Sequence, residues 1–546
     1  MSASNLPSFS NNADGRLPKE YAFPFLIAAK AAVLDSPKWS GSNGWWQNEG
    51  NRWLESMSLK LDVPLDSLPS NPTPLDAAHF AHSIPPSEHH ATVLSLLSAC
   101  LLPSASPSKA KQGNPPAPLN YTPATRALLW YSLSLLQIPH EHLLAAEDHV
   151  SQGLYTELKN AEIKAKSEAA RKEQAEGWGG KWGRLAATVG GVIIGGVAIG
   201  MTGGLAAPAL LPLLPFLTAG SAPIVLGTLF GLTGGGLAGL RVNKRWAGVD
   251  VFDFVQIVGG GEDGDPDSVA QKTDTGSVEK AQAPSLVATI IIPGLLIERE
   301  TEALDNLRAC TELFSAPRRD TFILNHSPQE MLSAGKTLHN WVMNKLLGKV
   351  KGKIKGEIIK RVALSTVYGV VALPISIYQT TGMVVDNEWI RACDRAKKAG
   401  RLLAEVLRTK VQGDRPVVLV GVSLGALALF EALTTIAEHS ASEASPLVDT
   451  AIFISLPAAP GDDEWKKARS SVSRRLVNAY CTTDLVLAGV GRLHEVLGGG
   501  GWSDMAGLRP MEREGIEDVD LSDVIDGHFE LNPKIKDILE AVGVND

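Results

Sequence analysis

The chain has 546 residues, 44% of them hydrophobic and 52 of them glycine, with 51 Lys and Arg against 59 Asp and Glu for a formal charge of −8. At about 150 residues per domain the length suggests roughly three to four domains. The composition excludes wholesale disorder, a collagen-like rod and a many-span transporter, and the acidic balance argues against nucleic-acid binding.

Residues 1–18 read as a polar tail without the apolar core of a secretory signal. The four cysteines, Cys100, Cys310, Cys393 and Cys481, form no CxxC pair. Neither a disulfide framework nor a structural zinc site is expected, and a reducing cytosolic compartment fits. Residues 19–138 read as a helical N-terminal region broken by proline-rich loops at 69–74 and 103–118. Trp45, Trp46 and Trp53 are expected as packing aromatics. His79, His82, His89 and His90 lie near Asp76 and Glu88, but Pro85 and Pro86 break any helical register between the two pairs, so no metal site is expected.

Residues 139–184 form a charged stretch whose Leu143, Leu144, Val150, Leu154, Leu158 and Ile163 recur at helical spacing. This predicts a long helix, either a short coiled coil that takes protein partners or a solvated helix. No charge then occurs from Leu185 to Leu240. One membrane span takes about 20 residues, so this stretch accommodates two spans and a turn, with Pro208, Pro212, Pro215 and Pro223 near its middle. Trp178, Lys181, Trp182 and Arg184 flank one end and Arg241, Lys244, Arg245 and Trp246 the other. That pattern predicts a Gly-rich transmembrane hairpin in the lipid bilayer, with both ends in the cytosol, the other reading being a Gly/Ala-rich hairpin buried in protein. Gly227, Gly231, Gly235 and Gly239 recur every four residues, as do Gly196, Gly200 and Gly204, which suits close helix packing.

From 247 to 546 the pattern is α/β. Strands are expected at Val251–Val258, Leu286–Ile292, Thr321–Leu324, Pro416–Val420, Val448–Ser455, Leu476–Cys481 and Val519–Leu521, separated by helical segments. That alternation predicts a mostly parallel sheet with helices on both faces. The acidic stretch 259–284 is expected as a disordered insertion. Residues 336–385 read as a cap or lid: Lys345, Lys349, Lys351, Lys353, Lys355, Lys360 and Arg361 interleave with apolar residues, and Val362–Val385 carries no charge. The basic part suits an anionic membrane surface or a solvated helix face. The uncharged part suits an apolar lid or a third span. Ser333–Thr337 ends like a phosphate-binding loop, but Glu330 stands where its first glycine is required, so no nucleotide site is expected.

The central motif is Gly421-Val422-Ser423-Leu424-Gly425, entered by the apolar run 416–420 and left by the helical run Ala426–Leu433. This is the strand–turn–helix context of an α/β-hydrolase nucleophile elbow, which makes Ser423 the candidate nucleophile. The acid and then the base are expected downstream of it. Asp484, in the turn after Leu476–Cys481, is the favoured acid, with Asp462 and Asp463 as alternatives. His528, after the last strand, is the favoured base. His494 is an alternative, and His439 comes too early in chain order. The backbone N–H groups of Leu424 and of Leu295, beside Gly294, are the expected oxyanion donors. No metal or cofactor is required for this chemistry.

The segments TGGLAAP (202–208), CDRAKKAGRLLAEVL (393–407), GVSLGA (421–426), NAYCTTDLVL (478–487) and DGHFEL (526–531), in this order after a charged helix, resemble the transmembrane and coiled-coil domain-containing protein 4 family. The likeness runs from about 140 to 546 and departs at 259–284 and at Asn325-His326, where a Trp-Glu pair is expected. It implies an α/β-hydrolase-fold membrane protein with Ser423, Asp484 and His528 as its triad, and it supplies no substrate. The expectation is a membrane-anchored serine hydrolase acting on a lipid or other acyl ester. The alternative is a catalytically silent hydrolase-fold protein serving as a trafficking or scaffold component.

Overall fold

The computed structural model describes residues 17–38, 44–101, 121–154, 251–257, 285–310, 312–315, 319–341, 375–440, 444–496 and 504–546. The expected hairpin at 185–240, the insertion at 259–284, the charged segment beyond 154 and the stretch 342–374 of the cap lie outside these residues. No helix among the described residues is long and apolar enough to cross a membrane.

The described strands are β1 (Phe252–Gln256), β2 (Ala288–Ile292), β3 (Asp320–His326), β4 (Val417–Val422), β5 (Thr450–Ile454), β6 (Leu476–Tyr480) and β7 (Glu517–Asp520). They form one sheet in the order β1-β3-β2-β4-β5-β6-β7, with β1 antiparallel to β3 and every other pair parallel. Continuous apolar strands such as β4 belong in a sheet covered on both faces, and every residue of β2, β4 and β5 is buried. Their side chains alternate between two cores, as pleating dictates. Val417 and Leu419 pack with the helices Pro328–Trp341, Ile375–Arg408, Leu424–His439 and Asp462–Ser470. Val418, Val420 and Val422 point into the opposite core, with the helices Glu302–Arg308 and Ile535–Ala541.

The N-terminal helices Lys19–Leu34, Trp45–Lys60, His89–Leu101 and Pro123–Leu135, with the helix at 141–154, contribute to that second core. Trp45, Trp46 and Trp53 are buried there. His89 bonds the Ile84 carbonyl through Nε2 and stacks edge-on against His142, while His90 lies against His142 and His149. The helical region meets the sheet through charge as well as apolar surface: Arg126 Nη1 donates to Asp449 Oδ2 at 2.9 Å, with both side chains fully buried. The segment Ser333–Thr337 lies within a helix, Pro328–Trp341.

Candidate active site

The elbow forms because β4 runs directly into the helix Leu424–His439 with a single residue between them. That residue, Ser423, has φ 55° and ψ −122°, a conformation rare outside glycine and costly enough to need support from its surroundings. Its neighbours supply that support by being small. A Cβ at Gly421 would lie 2.5 Å from Ala426 Cα, and one at Gly425 would lie 1.9 Å from the Ile292 carbonyl oxygen. The Ser423 N–H donates to the Ile454 carbonyl at 2.8 Å, which ties the turn to β5.

His528 lies in the segment after β7 and is buried. Its Nε2 is 2.6 Å from Ser423 Oγ, and its Nδ1 is 2.8 Å from Asp484 Oδ2. Asp484 follows β6 at the head of the helix Leu485–Val496 and is fully buried. Its other oxygen, Oδ1, accepts the Val486 and Leu487 N–H groups, each at 3.0 Å. Helix capping thus holds the carboxylate and leaves Oδ2 for the imidazole. A carboxylate on Nδ1 keeps the proton on that nitrogen, so Nε2 presents a lone pair to the serine hydroxyl.

The loop after β2 crosses the elbow in van der Waals contact. A Cβ at Gly294 would fall 2.4 Å from the Val422 carbonyl oxygen, 2.6 Å from Leu424 N and 2.8 Å from Ser423 Cβ, so only glycine fits. Leu424 opens its helix, so its N–H has no acceptor one turn back. Leu295 follows Gly294 on the same loop. His326, marked in the sequence only as a departure from the resembled family, ends β3 and its Nε2 donates to the Pro293 carbonyl at 3.1 Å. Burial pushes the His326 imidazole down to about 4, so it is neutral when it donates. It also lines a small cavity of about 70 Å³ with Pro293, Gly294, Asn325 and Met331. A histidine two residues after the apolar run 322–324 was the available signal.

The alternative residues sit elsewhere. His439 is exposed and bonds the Thr435 carbonyl of its own helix. Asp462 pairs with Arg513 and Asp463 with Lys466, all at the head of the helix Asp462–Ser470 or beside it. His494 falls in the helix Leu485–Val496. Among the described residues, no group of three or more His, Cys, Asp or Glu side chains is arranged to hold a metal ion.

The chain is similar to the transmembrane and coiled-coil domain-containing protein STS1 of Oryza sativa, at 27% identity over 396 residues covering 67% of this chain and 53% of that protein. An uncharacterized membrane protein of Caenorhabditis elegans is 26% identical over 357 residues, 65% of this chain and 49% of its own length. The protein named "Probable lipase MIL1" of Saccharomyces cerevisiae is 33% identical over 164 residues, 30% of this chain and 15% of its own. The chain therefore spans about half the length of the first two of these relatives, and no solved structure matches it. A family model described as a protein of unknown function, DUF726, matches residues 181–545, and the chain belongs to that family.

Proposed function

We propose that the chain is a serine hydrolase of the α/β-hydrolase type, anchored in a membrane by the segment 185–240 and acting on an acyl ester of lipid character. The observation that carries this reading is the unbroken relay from Ser423 Oγ to His528 Nε2 at 2.6 Å and from His528 Nδ1 to Asp484 Oδ2 at 2.8 Å. The mostly parallel sheet, the elbow geometry at Ser423 and the chain order serine, acid, histidine support it. The name of the yeast relative supports a lipid ester, and the names of the rice and nematode relatives support a membrane location.

In this mechanism Ser423 Oγ attacks the ester carbonyl carbon while His528 Nε2 takes the hydroxyl proton. Asp484 stabilises the imidazolium that forms. The carbonyl oxygen, now negative, accepts the N–H groups of Leu424 and Leu295. Collapse of the adduct breaks the bond to the alcohol, which leaves with the proton from His528. Water, deprotonated by the same nitrogen, then hydrolyses the acyl-serine.

A fluorophosphonate probe applied to the full chain in membranes tests the chemistry. The wild-type protein is expected to take the label and Ser423→Ala to take none. Equal signals from the two overturn the enzyme reading in favour of a silent scaffold. Carbonate extraction tests the anchor: retention in the membrane fraction is expected, and release sinks that part.

A further inference from the structure

We propose that Asn532 and Glu302 are positioning residues that lock the oxyanion loop to the segment carrying the base, so that the two halves of the site hold one alignment. The inference rests on the hydrolase reading above. Asn532 lies one turn beyond His528, on the same C-terminal segment, and both it and Glu302 are buried. Its Nδ2 carries two protons and spends both across the gap: one goes to the Leu295 carbonyl at 3.1 Å, the other to Glu302 Oε1 at 2.8 Å. The second oxygen of Glu302 accepts the Ile297 N–H at 2.8 Å and the Glu298 N–H at 2.7 Å.

The consequence is geometric. The N–H expected to meet the oxyanion belongs to the Gly294–Leu295 peptide. The peptide before it is held at the Pro293 carbonyl by His326, and the peptide after it at the Leu295 carbonyl by Asn532. With both neighbours pinned, the intervening N–H has little freedom to rotate away. Glu302 accepts from three donors, which fixes the orientation of its carboxyl group between the two segments. Asn532 is suited to the role because it donates to two acceptors at once. An aspartate in its place would face a carbonyl oxygen and a second carboxylate.

The test is steady-state hydrolysis of a short p-nitrophenyl ester by the full chain in membranes, with Asn532→Ala and Glu302→Gln beside the wild type. For Asn532→Ala, kcat is expected to fall about ten- to a hundredfold, because a small displacement of an oxyanion donor has that effect. KM should stay within about a factor of two, and the acidic limb of kcat/KM, which reports the base, should not move. Glu302→Gln should lower kcat by a smaller factor, and the double variant should be no worse than Asn532→Ala, since the two act as one unit. An unchanged kcat in Asn532→Ala overturns the proposal. So does a displaced acidic limb, which would assign Asn532 to the support of His528 instead. If Asn532→Ala fails to fold, Glu302→Gln decides alone by the same split of kcat from KM. A wild-type protein that neither hydrolyses the ester nor takes the fluorophosphonate label overturns the hydrolase reading and this inference with it. A labelled wild type with unaffected variants overturns this inference only.

Discussion

Two aspartates of the sheet are fully buried and differ in what they are given to hold. Asp449 precedes β5, at the end of the sheet where β4, β5 and β6 begin. Asp484 follows β6, at the end where they finish. Asp449 Oδ2 accepts from Arg126 at 2.9 Å and from Arg474 Nη2 at 3.1 Å, and Thr450 donates to it at 3.0 Å. Burial pushes the Asp449 carboxyl up, but the two guanidinium groups outweigh it and hold it down at about 2. Both arginines also lie over the Trp130 ring, 5.1 and 4.1 Å from its centre, and Arg126 reaches Glu147 at 2.7 Å. Asp449, Arg126 and Arg474 keep their charges through the neutral range, so their pairing fastens the helical region to the sheet. Asp484 instead faces an imidazole whose far nitrogen meets a hydroxyl. Burial is common to both sites. The partners differ: guanidinium groups that stay charged surround Asp449, whereas a histidine bridges Asp484 to a serine hydroxyl.

That contrast breaks most sharply at Asp484. Asp484→Asn keeps an oxygen to cap the Val486 and Leu487 amides but offers an N–H to the imidazole, which forces the wrong tautomer. The rate of ester hydrolysis is expected to fall about 10⁴-fold, with the thermal midpoint nearly unchanged because the cap persists. A variant that retains its rate would strip Asp484 of its role in the relay.

The converse substitution is Asp449→Ala. It leaves Arg126 and Arg474 buried with too little negative charge, and removing one partner of such a cluster costs about 3–5 kcal/mol. Chemical denaturation should show that loss, while folded molecules take the fluorophosphonate label at the wild-type rate. A stable variant with impaired labelling would reverse the division of labour between the two ends.

The two ends were unequally legible in the sequence. The elbow is written locally: Gly421, Ser423 and Gly425 stand within five residues, and the contacts that demand glycine are made to Ala426 and to the neighbouring strand. Asp484 and His528 are candidates because a strand order implies where loops fall, and both lie in hydrogen-bond reach of the Ser423 relay. The Asp449 cluster spans 323 residues of chain between Arg126 and its partner, and no local pattern predicts such a pairing. One clue was available. Arg126 is the single charge in the apolar helix Pro123–Leu135, and a charge on a buried helix needs a counter-charge somewhere. Asn532 and Glu302 left no comparable mark, because a polar residue near a turn is ordinary until its two acceptors are seen.

The smallest expected effect concerns acid. His140 stacks on Trp130, with ring centres 3.8 Å apart, and bonds Ser134 Oγ through Nε2. Burial, then the charge of Arg474, pushes its imidazole down to about 4. An unfolded histidine titrates near 6.5. Between those values the unfolded chain takes a proton that the folded chain refuses, so this contribution to stability is complete above about pH 6.5 and is lost as pH falls toward about 4. The Asp449 contribution has the same sign at lower pH, because its carboxyl is held below its unfolded value. It is complete above about pH 4 and is lost as pH falls toward about 2. His140→Gln removes the first step and leaves the second. The variant's denaturation midpoint should therefore decline less than that of the wild type between about pH 6.5 and about pH 4, and then run parallel to it. Parallel curves throughout would mean that His140 takes its proton without disturbing the arginines beside it. The fixed-charge end of the sheet would then be insensitive to the one titratable ring stacked on Trp130.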